Sequence, residues 1–488
     1  MPLAAFQKSI DTDDIVAQLR TGLIGEGMII DTPFGQKPLT YADYTASGRA
    51  LRQVEDFIAE HVLPFYANSH TEASFCGAYT TRLRENARVI IADYLNAGPD
   101  CSVIFSGSGA TAAVNRLASL CGIAKFARQA KATQSPLPTV FIGPYEHHSN
   151  ILPWRESGAE VVEIPETTTG GPDLQILEKE LKSRAEHPLL IGSFSAAANV
   201  NGILSDVDAV TALLKSHGAL AFWDYAGGGP YLDMDMTPDA GLEKDAIFLS
   251  PHKFPGGPGA SGLLVIRNSA VTATIPTWPG GGSVAYVSPW DHSYLTSISE
   301  REEAGTPNLI GDIRAALVFI IKAAIGSDFI AARDSHFCAI ALKSWKSNPN
   351  LHLLGANEAN RLPIFSFAVR DGQGGYIHHH LFTRMLSDIT GIQARGGCVC
   401  AGPYGHHLLN VERPRSEEIR NAILAGHEIE KPGWIRLNFS YLMDDKTAAY
   451  IIDSVNMLTR DATQYVAHYN MDTTTANVHY QANTKQAS

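Results

Sequence analysis

The chain has 488 residues, 45% of them hydrophobic, so it can bury a large core and form one large and one smaller domain. Its 38 basic and 50 acidic residues give a net charge of −12 without a long run of either sign, which argues against a nucleic-acid partner. The longest apolar stretch, residues 315–325, is short and contains Lys322, so no membrane span is predicted.

The cysteine content and the first residues bear on the compartment. Six unevenly spaced cysteines fit free thiols in a reducing environment better than a disulfide framework. Residues 1–14 include acidic side chains and lack a basic start followed by an apolar run, so they do not indicate a secretory signal. We therefore expect a cytoplasmic protein.

Between residues 103 and 268, short β-rich runs alternate with helical or polar stretches. The predicted strands are 103–105, 139–142, 161–164, 189–194, 220–223, 247–249 and 263–266, and the predicted helices include 112–120 and 174–184. This alternation is typical of a wound, mostly parallel α/β sheet. The carboxyl ends of such strands form a crevice suited to a cofactor.

After Asn308 the pattern changes to a long helix at 311–325 and then to strands at 364–369 and 434–439 with a helix at 446–458. This mixture predicts a second, α+β domain. The end of the chain is rich in Thr, Asn, Gln and Ala, which predicts a loose tail. The predicted organisation is an N-terminal segment 1–50 that joins the small domain, a large domain 51–325, a small domain 326–470 and a tail 471–488.

A lysine, Lys253, follows the predicted strand 247–249 and precedes a loop rich in Gly and Pro. Such a lysine can form an imine with an aldehyde where its surroundings disfavour the ammonium form. Asp224 ends a neighbouring buried strand, where a carboxylate could pair with a protonated pyridine nitrogen. The alternatives are a solvated lysine and a helix-capping aspartate. The two residues together favour a pyridoxal phosphate (PLP) site.

The strand 103–105 leads into a glycine turn and a helix start, Gly107-Ser108-Gly109-Ala110-Thr111. Free backbone N–H groups at such a helix start bind phosphate. The same residues fit a loose dinucleotide pattern, Gly107-x-Gly109-x-x-Ala112, so a Rossmann oxidoreductase is an alternative. Residues 126–131 offer no acid for a ribose, although their basic groups could serve NADP.

Histidines occur in two further patterns. His147 and His148 follow the strand 139–142, where an imidazole could lie flat on a cofactor ring. Adjacent side chains on an extended segment point in opposite directions, so joint metal ligation is not expected. The triplet 378–380 is interpreted as structural or surface-exposed.

A glycine-rich loop contains Arg395, Cys398 and Cys400. A nearby arginine favours a thiolate, so a cysteine here could be a nucleophile. One alternative is a buried small apolar residue. Another is a zinc site that adds His406 and His407, although the spacing departs from the usual paired arrangements.

Taken in order from about Tyr41 to Leu458, these segments resemble the class V aminotransferase-like group of fold-type I PLP enzymes, most closely its cysteine desulfurase and selenocysteine lyase branch. The resemblance is carried by residues 146–154 (EHHSNILPW), Ser250-x-His252-Lys253, residues 303–308 (EAGTPN), and Arg395 with Cys400. It implies an α/β fold of the PLP-dependent transferase type I, with a mostly parallel wound sheet in the large domain and a smaller α+β domain.

The resemblance also implies cofactor contacts. Lys253 would hold PLP as a Schiff base and shuttle the Cα proton, Asp224 would pair with the pyridine nitrogen, and His147 would stack on the ring. Asn199 would lie near the cofactor O3′ and the substrate. The phosphate would be held by Ala110, Thr111, Ser250 and His252, and by Thr306 of a second subunit. That last contact implies a homodimer.

For the amino-acid substrate, the resemblance assigns the carboxylate to Arg436, assisted by Arg395. Cys400 stands where this branch keeps its persulfide-forming cysteine. The implied reaction converts L-cysteine to L-alanine with a persulfide on Cys400, with selenocysteine as a second candidate substrate and a sulfur-acceptor protein as a candidate partner. No metal ligands are assigned.

Two departures keep other functions open. Gly227 stands where the branch usually carries Gln, three positions after the ring-pairing Asp, and Cys398-Val399 precede Cys400 where the branch often has His-His. The second hypothesis is therefore another class V reaction, such as an aminotransferase, an epimerase or a Cβ–Cγ lyase, with Cys400 structural. The third is a non-catalytic or NADP-binding α/β protein.

Overall fold

In the computed structural model, residues 2–69, 72–355 and 359–481 are described. The helices are α1 (Pro2–Ile10), α2 (Ile15–Gly22), α3 (Arg52–Phe57), α4 (Phe75–Tyr94), α5 (Gly109–Leu120), α6 (Ile123–Thr133), α7 (Leu152–Glu156), α8 (Leu174–Ser183), α9 (Val207–Ser216), α10 (Ile298–Glu302), α11 (Leu309–Ile325), α12 (Ser327–Trp345), α13 (His379–Thr390), α14 (Gly402–Leu408), α15 (Arg413–Leu424) and α16 (Asp445–Val466). The strands are β1 (Ile29–Thr32), β2 (Gly35–Pro38), β3 (Thr40–Tyr41), β4 (Cys101–Phe105), β5 (Thr139–Ile142), β6 (Glu160–Glu163), β7 (Leu190–Ser195), β8 (Leu220–Asp224), β9 (Ala246–Leu249), β10 (Leu263–Arg267), β11 (Val284–Val287), β12 (His292–Tyr294), β13 (Leu351–Leu353), β14 (Ile364–Arg370), β15 (Tyr376–Ile377), β16 (Ile392–Gln393), β17 (Arg395–Gly397), β18 (Trp434–Asn438), β19 (Tyr469–Met471) and β20 (Val478–Tyr480).

The chain divides into two compact units. The first contains the chain up to Ile24, Ser47–Ala198 and Leu204–Ile330, and the second contains Gly25–Ala46, Asn199–Ile203 and the chain from Ala331. The predicted N-terminal segment 1–50 is divided between the units: Gly25–Ala46 lies in the second unit, whereas α1 and α2 belong to the first. The apolar face of α1 explains this placement: the Phe6 ring packs edge-on against Phe57, with 5.3 Å between the ring centroids.

The first unit is built on a seven-stranded sheet of order β4-β10-β9-β8-β7-β5-β6. Strands β9, β8, β7, β5 and β6 pair in parallel, and β10 runs antiparallel to both of its neighbours. The mostly parallel sheet is as predicted, with strand ends within two residues of those expected. Its core contains Val140, Ile191, Phe222 and Phe248, all fully buried. Continuous apolar strands of this kind need cover on both faces.

The apolar helix expected at 311–325 is present as α11. One of its two basic residues, Lys322, is buried and donates a hydrogen bond to the Gly229 carbonyl oxygen at 2.8 Å and another to the Leu232 carbonyl oxygen. In the described parts of the chain, no single helix is long and apolar enough to cross a membrane. Within the same described residues, only α11 and α12 taken together reach that length and composition, and a bend of 79° separates them.

The second unit has a sheet of order β13-β14-β18-β17, in which all pairs are antiparallel and β15 extends β14. Helices α13 and α16 pack with it, and Trp345, Phe365 and Phe439 form part of the buried core. Strand β3 joins this unit by pairing in parallel with β16. Helices and antiparallel strands are thus combined as predicted for this part of the chain.

The tail expected from residue 471 begins with an ordered hairpin. Strands β19 and β20 pair antiparallel, and Phe34 packs on the hairpin with its ring 5.5 Å from that of Tyr480. The prediction of a loose tail is wrong for residues 471–480, because the two strands pair and their aromatic residues pack on Phe34, although the polar turn between them is exposed. Residues 482–488 lie outside the described part.

Candidate active site

Asp224 and Lys253 both lie at the carboxyl ends of strands, at one edge of the large sheet. Asp224 is the last residue of β8, and Lys253 lies in a single 3-10 turn after the parallel neighbour β9. Asp224 Oδ1 accepts a hydrogen bond from the Ala226 N–H at 2.7 Å. Burial raises the pKa of Asp224 to about 6, while that N–H and the positive charge of Lys253 lower it. The structure therefore brings the predicted pair close enough to interact electrostatically.

A second buried carboxyl group, that of Glu146, lies in the loop after β5. It accepts hydrogen bonds from the Ser195 N–H at 2.8 Å, from the Ser195 hydroxyl at 2.7 Å and from the Asn150 amide. Burial raises the pKa of Glu146 to about 7, although these hydrogen bonds act to lower it. The negative charge of Asp224 also raises this pKa. Sequence reasoning quoted Glu146 within its motif but assigned it no role. Its bonds tie the loop that carries His147 to β7.

His147 is half-buried at the start of a short 3-10 turn. Its Nδ1 accepts a hydrogen bond from the Ser149 N–H at 3.1 Å, so the neutral ring carries its proton on Nε2. The Ser149 hydroxyl lies 3.0 Å from the same Nδ1 and 2.7 Å from Thr111 Oγ1. This chain of contacts fixes the imidazole relative to the glycine turn before α5.

The glycine turn before α5 places backbone N–H donors close to Ser250 and His252, and we call this group of residues the phosphate cradle. Gly109, with φ of +62°, opens α5, and the next N–H, that of Ala110, donates to Ser250 Oγ at 2.9 Å. A Cβ at Gly109 would lie 2.8 Å from Ser250 Oγ and 3.1 Å from His252 Cε1. Burial, followed by the charge of Lys253, lowers the pKa of His252 to about 4, so its ring is neutral near pH 7.

A helix N-terminus, a hydroxyl and an imidazole are a suitable donor set for a phosphate group. Four of the predicted phosphate ligands converge in this part of the first unit: Ala110, Thr111, Ser250 and His252.

Thr306, the fifth predicted phosphate ligand, is exposed and lines a cavity of about 270 Å³ that Gly107 also lines. The segment that carries it is anchored by Glu303. The Glu303 carboxylate accepts the Phe105 N–H at 2.8 Å and pairs with Arg88, also at 2.8 Å. These contacts hold the start of the segment that leads to Thr306 against β4 and α4.

In the second unit, Asp43 bridges two arginines. Its Oδ1 accepts a hydrogen bond from Arg436 Nη2, and its Oδ2 accepts one from Arg395 Nε, each at 3.0 Å. Burial lowers the pKa of Arg436, whereas the negative charge of Asp43 raises it. The guanidinium remains cationic, as arginine does in proteins. Sequence reasoning missed Asp43. The only available indication was an acid near the start of the family resemblance.

Arg436 also donates from Nη1 to the Asn199 carbonyl oxygen at 3.0 Å. The Asn199 side chain donates to the Val399 carbonyl oxygen at 2.8 Å. Asn199 Oδ1 and Arg436 Nε are buried and have no hydrogen-bond partner among the described residues. A buried unpaired polar atom is unfavourable and often indicates the position of a ligand.

Cys400 is exposed in a tight turn between β17 and α14. The turn is closed by the Ala401 N–H, which donates to the Cys398 carbonyl oxygen at 3.1 Å. Val399 and Cys400 have φ values of +45° and +58°. This conformation is unfavourable for a β-branched residue, and strain of this kind clusters at functional sites.

The predicted zinc alternative is not supported. His406 already uses both ring nitrogens, with Nδ1 2.8 Å from the Gly402 carbonyl oxygen and Nε2 2.8 Å from Ser416 Oγ. Within residues 2–69, 72–355 and 359–481, the cluster of three potential metal-ligating side chains lies instead at 378–380, where ring nitrogens approach within 4.8 Å of one another. There His378 Nδ1 accepts the His380 N–H at 3.2 Å and so caps α13.

Comparison with known proteins agrees with this fold and site. Residues 40–427 match the family described as aminotransferase class-V. The chain belongs to that family. A probable cysteine desulfurase of Vibrio cholerae serotype O1 is 28% identical over 373 residues, which cover 75% of this chain and 85% of the relative. A cysteine desulfurase of Escherichia coli strain SE11 is 29% identical over 371 residues, with the same coverage of the two chains.

The fold is also that of a solved structure. The apo structure of the cysteine desulfurase from Thermococcus onnurineus NA1 aligns with a TM-score of 0.71 at 22% identity and covers 86% of this chain and 95% of that one. The aminotransferase class-V family is PLP-dependent, so this protein is a PLP-dependent enzyme of fold type I. The NADP-binding and non-catalytic alternatives are therefore wrong.

Proposed function

We propose that this class V enzyme is a cysteine desulfurase that converts L-cysteine to L-alanine and takes the sulfur as a persulfide on Cys400. The observation that carries the proposal is the exposed thiol of Cys400, in a turn that is hydrogen-bonded to the Asn199 side chain. Asn199 Oδ1 has no hydrogen-bond partner in the described part of the chain, and Arg436 beside it is buried. Relatives named cysteine desulfurase, which cover 75% of the chain, support this substrate.

The residues of the first unit fit PLP. Lys253 would hold the cofactor covalently, Asp224 would hold the proton on its pyridine nitrogen, and His147 would stack on the ring. The space that a Cβ at Gly109 would fill, next to Ser250 Oγ, suits a phosphate oxygen. When bound, PLP supplies a sink for the electron pair left at the substrate Cα. Phosphate ligands are proposed at Ala110, Thr111, Ser250 and His252.

The proposed chemistry uses two reactive side chains. Lys253 Nζ removes the proton from the substrate Cα and returns a proton after sulfur leaves. The Cys400 thiolate attacks the substrate Sγ, and the Cβ–Sγ bond breaks. The sulfur remains on Cys400 as a persulfide, and the remaining carbon skeleton leaves as alanine once its carbons are reprotonated.

The proposed substrate contacts lie in the second unit. Arg436 would bind the substrate carboxylate with its planar guanidinium, and the adjacent Arg395 would assist. Asp43 orients both guanidinium groups through its two oxygens. Asn199 Oδ1, which has no hydrogen-bond partner among the residues that the structure describes, would accept a hydrogen bond from a ligand.

We also propose a homodimer in which Thr306 reaches the phosphate of the partner subunit. The support is a set of exposed apolar side chains between β10 and Thr306: Trp290 is 89% exposed and Trp278 is 73% exposed. Large exposed aromatic groups are typical of interaction surfaces. A sulfur-acceptor protein and a cytoplasmic location stay predictions.

Selenocysteine and other class V reactions are the remaining candidates. Gly227 favours the latter, because a glycine has no side chain to contact the cofactor where the branch usually has Gln. In such a reaction Cys400 would be structural. Products other than alanine would then form from a different amino acid.

The test uses the purified holoenzyme, Lys253→Ala, Cys400→Ser and, as a matched control, Cys101→Ser. We expect the visible absorption band of bound PLP in all of these proteins except Lys253→Ala. With L-cysteine, the wild type and Cys101→Ser should form alanine and a protein persulfide, and Cys400→Ser should form neither above background. Retention of the PLP band with normal alanine formation by Cys400→Ser would refute the proposed role of Cys400.

A further inference from the structure

The proposed reaction leaves one thiol of the active-site loop without a role. Cys398 is half-buried and free, and it precedes the exposed Cys400 by two residues. The two cysteines are the first and third residues of the turn closed by the Ala401 N–H. Two thiols in one tight turn can interact chemically in a way that a single cysteine cannot.

The turn geometry keeps these cysteines close. Successive Cα atoms are about 3.8 Å apart, and a turn folds the chain back so that its first and third Cα atoms approach more closely than in a strand. A separation shortened in this way is compatible with the Cα–Cα range of roughly 4.4–6.8 Å that disulfides span. The positive φ values of Val399 and Cys400 match a reversed turn of type I′.

The turn is also held in place from outside. The Asn199 amide donates to the carbonyl oxygen of Val399, the residue between the two cysteines. Val399 itself is buried, and the helix α14 begins two residues after Cys400. The two thiols are therefore carried on an anchored turn, so their closeness does not depend on a chance encounter of a loose loop.

We propose that Cys398 is a resolving thiol for a persulfide on Cys400, an inference that rests on the proposed function for the source of that persulfide. The Cys398 thiolate attacks the inner sulfur, which belongs to Cys400. The sulfur–sulfur bond of the persulfide breaks, and the outer sulfur leaves with the electron pair as hydrosulfide. A Cys398–Cys400 disulfide forms. A dithiol reductant then supplies two electrons and two protons and restores both thiols.

This step gives the enzyme a route for sulfur that needs no acceptor protein. The disulfide closes a very small ring, and strained, exposed disulfides are more easily reduced than structural ones. Turnover would then depend on a dithiol and would release free sulfide. Without a dithiol, the enzyme would stop after one sulfur atom per active site, with Cys400 blocked.

The test loads Cys400 directly with inorganic polysulfide, so that no step of the L-cysteine reaction is involved. The holoenzyme, Cys398→Ser and the control Cys101→Ser are loaded, freed of excess reagent and followed by intact-protein and peptide mass spectrometry. We expect the wild type and Cys101→Ser to lose the persulfide, release sulfide and gain a peptide linked through Cys398 and Cys400. In Cys398→Ser the persulfide should persist roughly tenfold longer.

Equal persulfide lifetimes in the wild type and Cys398→Ser, without a Cys398–Cys400 peptide, would overturn the proposal. The linked peptide is sought in the wild type, so the result does not depend on how well the variant folds. A parallel incubation with L-cysteine reports alanine. Absence of alanine would count against the desulfurase function alone, because the polysulfide experiment decides the role of Cys398 independently.

Discussion

Asp43 and Arg436 form a buried ion pair, with Oδ1 and Nη2 3.0 Å apart, although they lie 393 positions apart in the chain. Asp43 is 8% exposed and Arg436 is 3% exposed. Removing one partner of a buried pair leaves an uncompensated charge, which is far more unfavourable than losing an exposed pair. The pair therefore both stabilises the second unit and orients the arginine proposed to bind the substrate.

We expect Asp43→Asn to lower the free energy of unfolding by about 3 kcal/mol, because it leaves the buried Arg436 cation without its counter-charge. Urea denaturation of the apoprotein measures the change. Asp31→Asn, on the exposed strand β1, is the control and should change the stability by less than about 0.5 kcal/mol. Similar small effects of both substitutions would contradict the structural importance of the pair.

Arg436→Lys tests the proposed carboxylate contact. The variant keeps the charge but lacks the planar two-pronged donor, so we expect kcat/KM for L-cysteine to fall roughly 100-fold, mainly through a higher KM. The visible spectrum of bound PLP should be unchanged. Lys215→Arg, on α9 of the other unit, serves as a control for side-chain exchange. An unchanged KM in Arg436→Lys would exclude the proposed contact.

Two glycines at the start of α5, one before the helix and one at its first residue, provide a matched test of the proposed phosphate site. Both have positive φ, +65° at Gly107 and +62° at Gly109, so alanine imposes similar backbone strain of about 1 kcal/mol at either position. Only at Gly109 would the added Cβ meet side chains, 2.8 Å from Ser250 Oγ, whereas at Gly107 nothing lies within 4 Å.

We therefore expect Gly109→Ala to weaken PLP binding roughly tenfold or more relative to Gly107→Ala, measured by titration of the apoprotein. Equal PLP affinities for the two variants would show that the cofactor phosphate does not use this cradle.

The pKa of Glu146 predicts how stability depends on pH. Its folded-state pKa, raised by burial to about 7, exceeds the ordinary value of 4.5, so the folded protein keeps a proton that the unfolded chain releases. The contribution of this retained proton to the free energy of unfolding is fully present below about pH 4.5. It is lost as the pH rises through 7, a change of about 3 kcal/mol.

The measurement compares urea unfolding of the apoprotein and Glu146→Gln between pH 4.5 and 8. As the pH rises, the wild type should lose stability relative to Glu146→Gln. This change is expected whichever protein is the more stable at pH 4.5. A difference that is constant across this range would mean that Glu146 ionises normally in the folded protein.

The amino-acid sequence by itself determined the wound sheet and the position of the proposed cofactor residues within it. Short apolar runs that alternate with helices predict parallel strands joined by right-handed crossovers. The carboxyl ends of parallel strands meet at one edge of the sheet. Asp224 and Lys253 follow adjacent strands, so their approach followed from local pattern alone. By the same pattern Ser250 and Ala110 lie beyond the carboxyl ends of strands β9 and β4, and they form a hydrogen bond.

Only the tertiary structure decided the remaining features. Three features depend on side-chain direction and on contacts between distant segments, which periodicity does not encode. They are the pairing of Asp43 with Arg436, the burial of Asn199 Oδ1 without a hydrogen-bond partner in the described ranges, and the left-handed backbone of Val399. The placement of α1 and α2 and the hairpin β19–β20 followed from aromatic packing on surfaces that exist only in the folded unit. Local patterns specify elements, whereas burial of particular side chains specifies which elements meet.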